Sequence, residues 1–269
     1  MSEVKTIDGL LEKMWADYIE LNPQAQQIVN LFKERGETVV NDHIALRTFN
    51  HPKLCIDVVS RPFLEAGYEA KGEYTFEEKK LYAKHFEHPK EDMPKIFISE
   101  LKLEDFSDEL NKKVEELVKQ VDEQTISRFD FTSLGRPWSV SSEEYEALRK
   151  ESDYAAWVAA IGYRPNHFTV FVNKLDSFET LEELNQFLKE KGFKLNSSGG
   201  EIKGSKEVLL EQSSTLADSV EIEFSDKKVT IPSCYFEFAK RYEDESGKLY
   251  QGFVAKSADK IFESTSKTQ

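Results

Sequence analysis

The 269-residue chain has only two cysteines, Cys55 and Cys234, and no long hydrophobic run. Two thiols are too few for a disulfide framework or a four-thiolate zinc site. No apolar stretch approaches the roughly 18 residues of a membrane span, and the acid-containing start of the chain is unlike a signal peptide. Basic residues are scarce too, since 36 Lys and Arg stand against 50 Asp and Glu. The composition therefore predicts an acidic cytoplasmic globular protein that binds neither nucleic acid nor a membrane.

The spacing of apolar residues changes between the helical and the strand period along the chain. It predicts one compact catalytic domain in four parts: N-terminal helices over residues 1–38, a first β-α-β-β-β module over 39–103, a helical insertion over 104–164, and a second such module with a C-terminal tail over 165–269. The helix of the first module should run from about Pro52 to Gly67, and one strand of the second module should lie near Phe193. The sequence selects no oligomeric state.

The two modules correspond to each other in sequence. The first strands share an Asn-x-His or Asn-His start, in NDHIAL (Asn41–Leu46) and NHFTV (Asn166–Val170). The last strands, KIFISELKL (Lys95–Leu103) and SCYFEFAKR (Ser233–Arg241), also align. Because two such repeats can pair around a common cleft, we predict an α+β fold in which a duplicated β-α-β-β-β half-barrel encloses a metal site.

Three residues are the candidate metal ligands. His43 and His167 occupy the same position on the first strand of each module, which is where a site on the pseudo-twofold seam needs them. Glu237 lies in an otherwise apolar and aromatic strand, where an ionised carboxylate is unfavourable unless it binds a cation or pairs with Lys240 or Arg241. Two histidines and one carboxylate suit Fe(II) and O₂ chemistry, although Zn, Mn and Ni accept the same ligands.

Arg47 is the candidate substrate-binding residue. Side chains alternate along a strand, so Arg47 shares the face of His43 and lies about 13 Å away along the strand. A guanidinium binds a carboxylate with two parallel hydrogen bonds. A 2-oxo acid that chelates the metal and presents a carboxylate to Arg47 fits this gap. The alternative is an interior arginine paired with an acid of the core.

Weaker candidates for the cleft are Glu100, Gln212, Tyr235 and Arg241. Glu100 lies at nearly the position of Glu237 in the first module and is either a fourth ligand or a surface residue. Gln212 either points into the cleft or ends its strand, whereas Tyr235 and Arg241 share the strand face of Glu237. Two further histidines, His85 and His88, lie in a stretch rich in Glu and Pro and are predicted to sit at a solvated edge.

Several motifs together resemble the 2-oxoadipate dioxygenase/decarboxylase family, also known as hydroxyglutarate synthases. They are NDHIALRTF (Asn41–Phe49), PKIFISEL (Pro94–Leu101), NHFTVFVN (Asn166–Asn173), LLEQSST (Leu209–Thr215), SCYFEFAKR (Ser233–Arg241) and GFVAKSADKIFEST (Gly252–Thr265). The motifs are spread over most of the chain, and the set is specific. The family is similar to the vicinal-oxygen-chelate superfamily, which agrees with the internal repeat.

The resemblance implies an Fe(II) enzyme that converts 2-oxoadipate and O₂ to 2-hydroxyglutarate and CO₂ in lysine catabolism. It implies His43, His167 and Glu237 as metal ligands and Arg47 as the residue that binds the substrate carboxylate. This chain is much shorter than the long bacterial members, so the resemblance carries over the metal site better than the identity of the oxo acid. Two alternatives remain open: a glyoxalase-like or extradiol-dioxygenase-like metalloenzyme, and a metal-free module that binds a small molecule.

Overall fold

The computed structural model describes residues 4–254, so most of the last family motif lies outside the described residues. The strands are β1 (Asn41–Phe49), β2 (Glu69–Phe76), β3 (Leu81–Glu87), β4 (Lys95–Leu101), β5 (His167–Phe171), β6 (Lys203–Ser205), β7 (Leu210–Ser214), β8 (Ser219–Glu223), β9 (Lys228–Pro232) and β10 (Tyr235–Arg241). The α-helices are α1 (Ile7–Leu21), α2 (Pro23–Glu34), α3 (Ile56–Val59), α4 (Arg61–Glu65), α5 (Asp108–Lys119), α6 (Glu123–Ser127), α7 (Ser142–Glu151), α8 (Asp153–Ile161) and α9 (Leu181–Glu190).

Eight of the strands form one mixed sheet in the order β2-β3-β4-β1-β5-β10-β7-β6. Each module contributes four of them, with its first strand parallel to its last, so that β1 pairs with β4 and β5 with β10. The two modules meet where β1 and β5 pair antiparallel. This arrangement confirms the predicted α+β fold with a duplicated β-α-β-β-β unit. The remaining strands, β8 and β9, form a separate hairpin.

The seam between β1 and β5 brings the two strand histidines together. His43 pairs with Thr169, and the next pair along that face joins Ala45 with His167. These four side chains therefore point to the same face of the sheet, because successive residues of a strand alternate between faces. The opposite face packs on the N-terminal helices, where the ring of Trp15 meets Phe168 edge to face at 5.0 Å between centroids.

The predicted helix over residues 52–67 is wrong in detail, because the chain forms two short helices, α3 and α4, separated at Ser60. Pro62 explains the break: it lies in the first turn of α4, and within a longer helix its ring would clash with the carbonyl four residues earlier. The strand expected near Phe193 is also wrong. Only Leu195 pairs there, in a single bridge to Thr215.

The helical insertion joins the two modules through α5 to α8. Its α7 begins with a capping box, in which Ser141 and Glu144 satisfy each other's backbone N–H groups. Every residue of α8 after Asp153 is buried, so this helix belongs to the core and does not act as a linker. Among residues 4–254, no helix combines the length and the apolar composition needed to cross a membrane.

Tyr18 ties the N-terminal helices to the strand that carries Glu237. Its buried hydroxyl donates a hydrogen bond to the carbonyl of Tyr235 at 2.5 Å and accepts one from the amide of Asn22 at 2.6 Å. In Tyr18→Phe both partners lose this bond inside the core, which we expect to lower the free energy of unfolding by about 1–3 kcal/mol. Urea denaturation measures the change. Tyr82→Phe, at a partly exposed tyrosine, is the control and should stay within about 0.5 kcal/mol of wild type.

Candidate metal centre

His43, His167 and Glu237 converge on the concave face of the sheet, from β1, β5 and β10. One candidate ligand atom from each lies within 4.8 Å of the other two, and all three residues are buried. The Glu237 carboxylate lies between the imidazoles, with Oε1 3.5 Å from His43 Nε2 and Oε2 3.3 Å from His167 Nε2. Ligands bound at about 2.1 Å to one ion lie about 3.0–3.4 Å apart. The three donors therefore fit a single metal ion with little movement.

A polar residue next to each histidine sets the orientation of its ring. The carboxylate of Asp42 lies 2.7 Å from His43 Nδ1, and the amide oxygen of Asn166 lies 3.0 Å from His167 Nδ1. Each Nδ1–H is thereby occupied, which leaves Nε2 as the ligand atom facing the cleft. Sequence reasoning missed these two roles, although the signal was present: an acid or amide directly precedes the histidine in both repeats.

Burial shifts the pKa values of all three candidate ligands. It lowers the pKa of His43 despite the nearby Asp42, and burial together with the charges of His43 and Arg47 holds the pKa of His167 well below its usual value. The lowered pKa values favour the neutral imidazole, which is the form that binds a metal ion. Burial raises the pKa of Glu237 to about 8, although the amide of Gln212 donates to its Oε1 at 2.6 Å. A divalent cation is what would stabilise the ionised carboxylate in this setting.

The pseudo-twofold relation places no second carboxylate opposite Glu237. Under this relation Ala45 of β1 is equivalent to Thr169 of β5. Ala45 pairs with Phe97 on β4, and Thr169 pairs with Glu237 on β10. Phe97 therefore occupies in the first module the place that Glu237 occupies in the second. Because phenylalanine offers no donor atom, the first module adds no ligand at this place, and an ion held by His43, His167 and Glu237 would keep open positions for other molecules.

Glu100 lies away from this group. Its carboxylate accepts a hydrogen bond from the backbone N–H of Ile56 at 2.8 Å and so caps the start of α3. Burial raises its pKa. The prediction placed Glu100 near the position equivalent to Glu237. The strand pairing shows that Glu100 lies three residues beyond that position, so its side chain points to the helix-covered face of the sheet.

Arg47 lies on the concave face and contacts the helical insertion. Its guanidinium lies over the rings of Tyr154 and Trp157 from α8, at 5.1 and 5.0 Å from the centroids. The Tyr154 hydroxyl is fixed in turn by Ser99, to whose carbonyl it donates at 2.7 Å. Only 3% of Arg47 is exposed. Sequence reasoning missed the contact between α8 and this arginine.

Tyr235 and Arg241 also reach the centre, in different ways. The Tyr235 ring stacks on His167 with centroids 4.6 Å apart. Arg241 forms a two-pronged ion pair with Asp42, at 2.6 and 2.8 Å, and supports His43 through that carboxylate. Arg241 thus pairs with Asp42 and not with Glu237, which was the predicted alternative.

A second group on this face was missed from sequence. Phe253 meets the His43 ring edge to face, with centroids 4.8 Å apart. Next to it lies His85, bonded to the Tyr74 hydroxyl at 2.9 Å and to the Glu87 carboxylate at 2.8 Å. The expectation that His85 sits at a solvated edge is wrong, since only 3% of it is exposed. The strand alternation of β3 turns this side chain inward.

Comparison with protein families now identifies the group to which the chain belongs. The family described as 2-oxoadipate dioxygenase/decarboxylase matches residues 1–244. The chain belongs to this family. A relative from Arabidopsis thaliana, named 2-oxoadipate dioxygenase/decarboxylase, chloroplastic, is 34% identical over 97% of this chain and 78% of its own length. Named members of the family are thus enzymes.

Solved structures of similar proteins share the fold over nearly the whole chain. The hydroxyglutarate synthase from Oryza sativa, crystallised with 2-oxoadipate, is 32% identical with a TM-score of 0.89, covering 97% of this chain and 92% of that one. A Shewanella frigidimarina protein with a provisional hydrolase name is 52% identical with a TM-score of 0.90, covering 94% and 100%. A glyoxalase-superfamily protein from Ralstonia eutropha, at 20% identity and a TM-score of 0.74 over 91% and 84%, shares the fold.

The raised pKa of Glu237 predicts a pH-dependent stability of the metal-free protein. A carboxyl whose pKa rises on folding from 4.5 to about 8 contributes stability that is full below pH 4.5 and is lost as the pH rises through 8. Between pH 6.5 and 8.5 we therefore expect the metal-free wild type to lose stability relative to Glu237→Gln. Urea denaturation in chelator at several pH values measures this difference. Parallel curves for the two proteins would contradict it.

Proposed function

We propose that this protein is an Fe(II)-dependent 2-oxoadipate dioxygenase/decarboxylase that forms 2-hydroxyglutarate and CO₂. The reaction balances with one O₂ per substrate, since the five-carbon hydroxy acid and CO₂ together contain the two added oxygen atoms. The observation that carries the proposal is the buried group of His43, His167 and Glu237. Phe97 occupies the position in the first module that is equivalent to Glu237 in the second. The family membership supports the same reaction.

The protein's own residues supply specific parts of this chemistry. Bound iron would provide redox electrons and the open positions at which a 2-oxo acid and O₂ meet. His43 and His167 would bind it through Nε2, and Glu237 would add the anionic ligand. Tyr235, which stacks on His167, and Phe97, which packs on Phe253 at 4.9 Å between centroids, are both buried and would keep water from the centre.

Arg47 is the residue proposed to select a dicarboxylic substrate. It shares the concave face with the ligands, and its positive charge acts on His167. A guanidinium that lies 5.1 and 5.0 Å from the centroids of two aromatic rings keeps its planar fork of N–H groups, which matches a carboxylate with two parallel bonds. The short length of the chain is no obstacle, because the rice enzyme crystallised with 2-oxoadipate is covered to 92% by this chain.

The alternatives have weaker support. A glyoxalase-like site with four protein ligands needs a donor where Phe97 stands. An extradiol dioxygenase uses a similar three-ligand set, but a catechol has no carboxylate for Arg47. A metal-free binding module leaves the buried Glu237 without the cation that would stabilise it.

Oxygen consumption tests the proposed reaction directly. Wild type reconstituted anaerobically with Fe(II) should consume O₂ with 2-oxoadipate and release CO₂ and 2-hydroxyglutarate. In His167→Ala we expect loss of bound iron and at least a 100-fold lower rate, since two ligands do not retain the ion. The matched control is His51→Ala, whose imidazole pairs with the exposed Glu115 and should leave the rate unchanged. Iron-loaded wild type that consumes O₂ only with a catechol, or with none of a set of 2-oxo acids that includes 2-oxoadipate, would refute the proposal.

Arg47→Met tests the role of the guanidinium in substrate choice. Loss of a buried charge-assisted contact of about 2–4 kcal/mol should lower kcat/KM for 2-oxoadipate by about 30- to 1,000-fold. A 2-oxo acid without a second carboxylate, such as 2-oxohexanoate, should be affected much less. Steady-state O₂ uptake with both acids measures the difference, and iron content should remain at the wild-type level. Equal losses for the two acids would contradict the assignment.

A further inference from the structure

Arg241 bonds to two separate parts of the protein with one buried side chain. Its Nε and Nη2 donate to the two carboxylate oxygens of Asp42 at 2.6 and 2.8 Å. Its Nη1 donates to the backbone carbonyls of Tyr250 and Gly252 at 2.9 and 2.8 Å. We refer to the segment Tyr242–Val254, which contains these carbonyls, as the strap. Arg241 therefore links Asp42 to the strap through a single rigid group.

The Asp42 end of this link reaches a candidate metal ligand. The register of β1 against β5 shifts between Asn41 and His43, and this irregularity lies at Asp42. The same Asp42 oxygen that accepts from Arg241 Nη2 lies 2.7 Å from His43 Nδ1. Any displacement of Arg241 thus changes the support of the His43 ring.

The strap end of the link covers the cleft. After a tight turn, in which Tyr250 donates back to the carbonyl of Tyr242, the chain places Phe253 on the concave face. The Phe253 N–H donates to the Tyr74 hydroxyl at 3.2 Å, and its ring packs on His43. The guanidinium of Arg241 lies 5.3 Å from the centroid of this ring. Strap and ligand therefore contact each other directly as well as through Arg241.

We propose that Arg241 is a positioning residue that couples metal binding at His43 to the seating of the strap over the cleft. The inference rests on the metal site of the proposed function and adds a role that the reaction itself does not require. Coupling between two sites is reciprocal. A metal that fixes His43 stabilises the strap, and a well-seated strap favours metal binding.

Co(II) binding and hydrogen exchange test the coupling without measuring turnover. Titration of metal-free protein, followed by the visible Co(II) bands, gives the dissociation constant and reports the ligand geometry. In wild type we expect Co(II) to slow amide exchange across residues 242–254. In Arg241→Gln the dissociation constant should rise about 10- to 100-fold, as for other residues that orient metal ligands, and the Co(II)-dependent slowing should be lost.

Two further variants make the result interpretable. Arg241→Lys keeps a positive charge beside Asp42 and so avoids an unpaired buried carboxylate, but a single ammonium cannot reproduce the fork of four bonds. It should fold and show a smaller loss in both measurements. Arg128→Gln is the matched control, because Arg128 forms a similar two-pronged pair with Asp130, at 2.8 and 3.0 Å, outside the sheet. It should match wild type.

The outcomes separate this inference from the proposed function. If wild type binds Co(II) and Arg241→Lys binds it equally well with unchanged strap protection, the coupling is refuted and the metal site stands. The same conclusion follows if Co(II) leaves strap exchange in wild type unaltered. If wild type does not bind Co(II) at all, the metal site is refuted, and the coupling with it.

Discussion

The antiparallel pairing of β1 with β5 is the constraint on which the rest of the site depends. It joins the two modules edge to edge and sets His43 and His167 on adjacent pairs of one face. A slip of one residue would turn one histidine to the helix-covered face and abolish the site. The register is held because that other face is packed: Phe168 lies against Trp15 and Tyr18 of α1. The chemistry of the concave face is thus secured by hydrophobic packing on the opposite one.

Buried charge is the second constraint. Glu237 and Asp42 both lie within the protein, yet their electrostatic situations are opposite. Arg241 and His43 compensate Asp42, and its pKa is held well below the usual value despite burial. At Glu237 burial outweighs both the amide donor and the charges of Lys203 and Arg241, and its pKa is raised. The structure therefore contains one carboxylate stabilised to orient a ligand and one suited to an incoming metal ion.

The sequence was sufficient for the duplicated fold and for the convergence of the three candidate ligands. Strand periodicity and the internal repeat locate first-strand histidines without knowledge of distant contacts, and an acid in an apolar strand is conspicuous. The rest depended on register and tertiary packing. Glu100 is three residues from the position equivalent to Glu237, an offset that only the pairing of β1 with β4 reveals. Likewise, nothing local in α8 indicates that Tyr154 and Trp157 contact Arg47.

The two modules share a scaffold but differ where function requires it. The symmetric place of Glu237 holds Phe97, and the same relation sets Arg47 opposite Phe171. A fully symmetric pair would have two carboxylates and thus four protein ligands at the centre, or two guanidinium groups on one face. The observed exchange of a charged for an aromatic residue in each module leaves one carboxylate and one guanidinium on this face instead of two of each. The two halves of the cleft therefore differ in charge, although the two modules share one fold.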